Sequence, residues 1–337
     1  MKLKTFLELW RRGQLRLLVR AIRLVKPYYR VAWLAAAARA GLLKRLRDGA
    51  VPLSQLAPDF APGARDTEGL RTWLHMGVTV RELEFSGDGY ALRGFLARAL
   101  ADPANDAIAA IIEEIATIHH SLMVETPERL RLGRPFTLDD QDGVLIARSS
   151  RVAESFMHEA IDDVLAPRGG VRLLEVGAGS GTHIRYAAER NPELTSLGLE
   201  LQPLVADLAN SNLREWGLSD RAQVEKGDVR DRSPEAAFDL VTLHNNIYYF
   251  SVEERPALLR HLKSFLLPGG RLLITSGCRG GGPAMQALDI WSANTAGCGR
   301  LPEVSELESQ LRAAGFADVR SKRLIPGDSF YAFQGRA

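Results

Sequence analysis

Past residue 170, short runs of apolar residues alternate with amphipathic stretches of helix length. VRLLEV, LGLEL, AQVEKGD, FDLVTLH, RLLITS, ADVRSKRL and SFYAFQG read as seven strands. Helices are expected from about Thr182, over 203 to 216 where Gly217 stops the pattern, and over about 252 to 266 and 303 to 314. Strands that alternate with helices imply a parallel sheet covered on both faces. The last two strands follow each other directly, which implies an antiparallel edge.

Before residue 170 the spacing is mostly helical. The run from Ala32 to Leu46 is helix-forming in composition, and LSQLAPDF and TEGLRTWLHMGV, the latter capped by Thr67, supply two more helices. VRELEFSGDGYAL then places two strand-like segments around the turn residues Ser86, Gly87, Asp88 and Gly89. Three helices followed by a hairpin describe a winged helix. ANDAIAAIIEEIATIHHSLM is again helical, Pro127, Gly133 and Pro135 mark an irregular connector, and RSSRVAESFMHEAIDDVL leads as a helix into Pro167. The expected organisation is a helical arm over residues 1–30, a winged-helix-like domain over 31–103, a helical connector over 104–167 that contributes to a substrate pocket, and an α/β domain over 168–337.

Charge changes the picture only at the start. The net charge of +2 hides thirteen Lys and Arg against Glu8 and Asp48 in the first 48 residues, so the remainder is net acidic. Phe6, Leu7, Trp10, Leu17, Leu18 and Ile22 can form one face of a helix opposite Arg11, Arg12, Arg16 and Arg23. Such a face packs on a partner subunit or on the first domain or, as the alternative, touches a membrane surface. Arg and Lys interrupt the apolar stretch too often for a signal peptide or a membrane span, so a cytoplasmic location is expected. Cys278 and Cys298 form neither a metal quartet nor a disulfide framework. No metal-ligand cluster is expected, since His119 and His120 are adjacent in a helix.

The sharpest chemical signal is EVGAGSG, Glu175 to Gly181, at a strand end before a helix. Gly177, Gly179 and Gly181 allow a tight turn and close approach of a ligand. A dinucleotide fingerprint would need Gly or Ala where Thr182 stands, and would not need Glu175. The frame suits a ligand with an amino group and no pyrophosphate. Glu200 ends the second strand, where a carboxylate can accept from two ribose hydroxyls. Asp228 follows the third strand, where it can accept from an adenine amine while Leu201 and Val229 pack on the ring.

With these features the stretch from Val171 to Ala337 resembles the class I methyltransferase domain, including FDLVTLHNNIYYF at the fourth strand and LLPGGRLLI at the fifth. Residues 32–100 resemble the winged-helix dimerisation domain of many small-molecule O-methyltransferases. The resemblance implies a Rossmann-like seven-stranded sheet, S-adenosylmethionine as cofactor, Asn245 on the cofactor side of the fourth-strand loop, a small-molecule methyl acceptor and a homodimer. It also implies a catalytic-base histidine in that loop. The aligned position carries Tyr248, which suits an orienting role, with His244 as the replacement base or with water removing the proton. The segment Cys278 to Pro302 stands where the family inserts substrate-contacting structure. Gly280, Gly281 and Gly282 would form a lid there, and Met285, Trp291 and Asn294 would line the acceptor pocket with Phe156 and Met157 opposite.

Two other classes fit less well. A DNA-binding regulator would use a recognition helix in which Arg65 and Arg71 are offset by Asp66 and Glu68, which is poor for a phosphate backbone. The fourth-strand loop also lacks the two prolines of nucleic-acid amino methyltransferases, so no nucleic-acid partner is expected. A nicotinamide-dependent oxidoreductase is disfavoured by Thr182 and Asp228.

Overall fold

The computed structural model describes residues 3–63 and 67–337, and Arg65 and Asp66 of the expected recognition helix lie outside them. The chain divides into two compact units, Met1–Thr117 and Ile118–Ala337.

The first unit is mainly helical. Its core gathers Trp33, Leu34, Leu42, Leu56, Leu74 and Leu83 from successive elements. A small antiparallel sheet has the order β1-β3-β2, with β1 Val51–Pro52, β2 Leu83–Ser86 and β3 Gly89–Leu92. The hairpin therefore turns at Gly87 and Asp88, and β1 is an extra strand that two residues were too few to reveal. The basic arm is continuous with the helical domain. One helix runs Gln14–Arg39 across residue 30, even though Pro27 lies inside it. Its far end is fastened by buried Trp33, Leu34, Ala35 and Ala37, and Arg30 pairs with the fully buried Glu82. Among the described residues one helical stretch, Pro103–Leu132, has the length and apolar composition to cross a membrane, a test that soluble core helices also pass.

The second unit holds a seven-stranded sheet. Its strands are β4 Arg172–Val176, β5 Thr195–Glu200, β6 Ala222–Lys226, β7 Phe238–His244, β8 Leu266–Gly277, β9 Ala317–Arg323 and β10 Phe330–Arg336. The order is β6-β5-β4-β7-β8-β10-β9, with β4 to β8 parallel and β10 antiparallel to both its neighbours. All seven expected strands are present. β8 starts earlier than RLLITS suggests, because Phe238 pairs with Leu266 before the register shifts.

Successive residues point to opposite faces, and both faces are apolar. Leu174, Val176, Val241, Leu243, Leu272 and Ile274 enter one core, while Leu173, Leu240, Leu273 and Ala332 enter the other. Helices Glu154–Asp162 and Thr182–Arg190 cover the second face through Met157, Ala160, Ile184 and Ala187. Near the carboxyl ends of β4, β7 and β8 that same face turns polar, with Glu175, Thr242, His244 and Thr275 in register and buried.

Candidate active site

The loop after β4 is built on left-handed backbone. Gly177, Gly179 and Gly181 have φ of 70°, 54° and 80°, a region L side chains rarely enter. At Gly177 space is also short, since a Cβ there would collide with Asn246 Nδ2. Gly177 N and Ala178 N donate to Leu199 O at 2.8 and 3.0 Å, which ties the loop to the end of β5.

Two carboxylates flank this loop in different states. Glu200 Oε2 accepts from Gly179 N and Oε1 from Gln202 N, each at 3.0 Å. Each oxygen keeps a further lone pair for an incoming hydroxyl. Glu175 is 1% exposed and neither of its oxygens has a hydrogen-bond partner. Burial, reinforced by the nearby Glu200, pushes its carboxyl well above the usual carboxylate range. An unpaired buried acid is costly, and a cationic amine beside it would remove the cost. The glycine cradle, Glu175 and Glu200 thus fit an adenosyl ligand that carries an amino group.

At the adenine end the expected acid already has a partner. Asp228 is closed by Arg230, whose guanidinium lies 2.6 Å away and whose backbone N donates at 2.9 Å. Burial raises the Asp228 carboxyl, but the hydrogen bonds from Arg230 outweigh it and hold it below its ordinary value. Arg230 thus pairs with this acid from two residues on, and its bonds do not use every acceptor site of the carboxylate. Val229 is 2% exposed and belongs to the apolar core, so its side chain does not face the crevice, whereas Leu201 remains exposed.

The loop after β7 splits the expected catalytic residues between the two faces of the sheet. His244 Nδ1 lies 2.9 Å from Thr275 Oγ1, and its Nε2 is buried with no partner. Burial, then the nearby His183 and His158, hold its pKa well below the ordinary histidine value. Tyr248 joins the opposite core, in edge-on contact with Trp291 at 6.2 Å and stacked with Tyr249 at 5.3 Å. Asn245 takes a positive φ of 54°, donates its backbone N to Thr275 O at 2.8 Å and turns its side chain to Met157 Sδ at 4.0 Å.

The expected acceptor wall is likewise divided. Phe156 and Met157 pack on the His244 face, and Trp291 on the Tyr248 face. Met285 lies beside Gly277 and Gly281 at the end of β8. Asn294 is corrected to a structural role, because its Nδ2 donates to Ile290 O at 2.6 Å and satisfies the end of helix Pro283–Ala293. Of the glycine triplet, Gly280 has a φ of 90° and Gly282 N lies 3.4 Å from Asp328 Oδ1.

Two histidines were missed by sequence reasoning. His183 contacts His244 with ring centroids 4.5 Å apart, and His158 lies 6.2 Å from His183. The polar alternation Glu175, Thr242, His244, Thr275 was readable along the strands, but nothing in the spacing of residues 158 and 183 showed where they would meet. His158 also lines a cavity of about 480 Å³ with Arg151, Glu154, Ser180, Thr182 and Tyr186, which reaches the glycine loop through Ser180. Among the described residues, no group of three or more His, Cys, Asp or Glu is placed to hold a metal.

Residues 174–272 match the family described as a methyltransferase domain. The L-tyrosine C(3)-methyltransferase of Streptomyces lavendulae is 32% identical over 171 residues, which is 49% of this chain and 46% of that protein. The chain spans less than half the length of this and two other curated relatives that it matches. The fold is that of a mitomycin 7-O-methyltransferase, with a TM-score of 0.76 at 18% identity over 96% of this chain and 99% of the other. Human N-acetylserotonin methyltransferase in complex with SAM has a TM-score of 0.72 at 16% identity, over 94% of this chain and 97% of the other.

Proposed function

We propose a function from the premise that this chain carries a class I methyltransferase domain whose cofactor is S-adenosylmethionine: the protein methylates an oxygen or nitrogen of a small cyclic or aromatic metabolite. The observation that carries it is the unpaired, buried Glu175 at the foot of a left-handed glycine loop, with Glu200 one strand away. The acceptor class is supported by the names of similar proteins, which specify tyrosine, mitomycin and N-acetylserotonin.

Glu200 and the loop N–H groups orient the adenosyl portion, and Glu175 supplies charge for its amine. When bound, the cofactor supplies an electrophilic methyl carbon on a sulfonium. The chain's own task is to align the acceptor, exclude water and remove a proton. His244 is the base in this reading, through its unpartnered Nε2. Tyr248, held by Trp291 in the opposite core, acts by fixing the loop after β7 and not by contact with the acceptor that His244 serves.

Burial decides the pH dependence. A base depressed well below its ordinary value is neutral, and competent, at every pH above that depressed value. Turnover is therefore expected to be flat between pH 6 and 8 and to fall only in acid, which replaces the inflection near 6 to 7 of an ordinary histidine. His244→Ala should lower kcat by about a hundredfold, and Tyr248→Phe by about tenfold. Wild-type turnover in both variants with a verified acceptor would contradict these roles.

The assembly in this reading is a homodimer. Trp10, Leu17, Leu18, Ile22 and Leu24 are exposed on the arm, a row of apolar side chains that a second copy would cover. Light scattering should give a dimer at micromolar concentration that weakens when the first 30 residues are removed. A monomeric full chain, or an arm that binds anionic vesicles instead, would contradict it.

A further inference from the structure

The ends of β4 and β7 meet in a place rich in acceptors and short of donors. Glu175 and Thr242 are register partners on these adjacent strands, and both are buried. Neither Glu175 oxygen nor Thr242 Oγ1 has a hydrogen-bond partner. Asn246, in the loop after β7, donates from Nδ2 to the carbonyl of Val176, the residue between Glu175 and Gly177. That bond fixes which end of the amide is which, because a flipped amide would set its oxygen against the Val176 oxygen. Asn246 Oδ1 is then left buried with no donor.

The three groups differ in how they can relieve this. A buried carboxyl can hold a proton, and a hydroxyl carries its own proton and can rotate to use it. An amide oxygen has neither escape, so only an outside donor satisfies it. The backbone donors nearby are already committed. Gly177 N and Ala178 N go to Leu199 O, and Asn245 N goes to Thr275 O. Packing does not account for the residue either, because an apolar side chain of similar size would fill the place without an orphaned oxygen.

We propose that Asn246 Oδ1 accepts from the ammonium of the cofactor's amino-acid portion and, with Glu175, forms the pocket that distinguishes S-adenosylmethionine from adenosyl compounds without an amine. The inference rests on the methyltransferase reading through its cofactor. An ammonium brings three donors and one positive charge. Glu175 offers it a negative charge from β4, and Asn246 offers a neutral acceptor from the loop after β7, held in place by Val176 O. Asn245 does not fill this role, since its side chain turns to Met157 Sδ at 4.0 Å. The ribose is served separately by Glu200 at the end of β5, so the amino-acid end and the adenosine end depend on different side chains.

That separation supplies the test. Titration calorimetry of the full chain with S-adenosylmethionine and with 5′-methylthioadenosine, which keeps the adenosine and the sulfur but lacks the amino-acid portion, reads the preference between them. Asn246→Ala removes the acceptor. It should weaken S-adenosylmethionine by about tenfold, the low end for a hydrogen bond to a charged group, and leave 5′-methylthioadenosine little changed. Asn246→Asp keeps an acceptor and adds charge, so the preference for S-adenosylmethionine should be held or raised even though the bond to Val176 O is lost. An asparagine that merely props the glycine loop, or whose oxygen is satisfied by water alone, predicts that both ligands weaken together in both variants. That result, or an unchanged preference in Asn246→Ala, overturns the proposal. If Asn246→Ala fails to fold, Asn246→Asp decides, and a fall in preference there overturns it. Failure of the wild type to bind S-adenosylmethionine sinks the methyltransferase reading and this pocket with it, whereas wild-type binding with equal losses for the two ligands sinks the role of Asn246 alone.

Discussion

Glu200→Ala should weaken S-adenosylmethionine binding by about ten- to a hundredfold, the range for losing hydrogen bonds to a charged group of about 1.5–3 kcal/mol. The carboxylate has two tasks. It is available to ribose hydroxyls, and it already holds Gly179 N and Gln202 N, so its removal also loosens the glycine loop. Titration calorimetry on the folded variant checks this, and unchanged affinity would contradict the assignment. Asp228→Ala should cost less, because Arg230 already occupies that carboxylate.

Glu175→Gln should separate stability from binding. In the ligand-free protein the buried carboxylate is unpaired, so its charge opposes folding. Its folded pKa lies above the unfolded value, so the folded state binds the extra proton in the window between them, and wild-type stability falls as pH rises through that window. The amide carries no charge. Glu175→Gln should therefore raise the melting temperature by about 2–4 °C for each kcal/mol relieved at pH 7, with the advantage vanishing near pH 4, while cofactor affinity falls. His183 acts in the opposite direction. Its pKa is depressed to about 3, so it contributes stability that is lost as pH drops from the ordinary histidine value toward 3. Calorimetric melts of the Gln variant across pH check the sign. A lower midpoint at pH 7 would mean that Glu175 is paired in the folded chain.

The sheet and most of the cofactor crevice were legible for a common reason. Strands buried on both faces read as unbroken apolar runs, and in an α/β sheet the groups that meet a ligand stand at strand ends beside glycines, as Glu175, Gly177 and Glu200 do. What stayed hidden depends on neighbours that local pattern does not name. Arg230 takes Asp228 across two residues, Asn294 is spent on its own helix, and Val229 turns into the core. Periodicity could not show whether the arm's helix stops at residue 30. It continues because Trp33 and Leu34, on the same helix, are buried and Arg30 finds Glu82. His158 and His183 each look like an ordinary helix residue until the two helices pack over β7.

The central claim is that the glycine loop with Glu175 and Glu200 holds S-adenosylmethionine. The most direct measurement is calorimetric titration of the unmodified full chain with S-adenosylmethionine, with NAD titrated under the same conditions. The account predicts saturable binding of S-adenosylmethionine in the micromolar range, about −8 kcal/mol at a Kd of 1 μM, and no heat from NAD. Binding of NAD with no response to S-adenosylmethionine would contradict it.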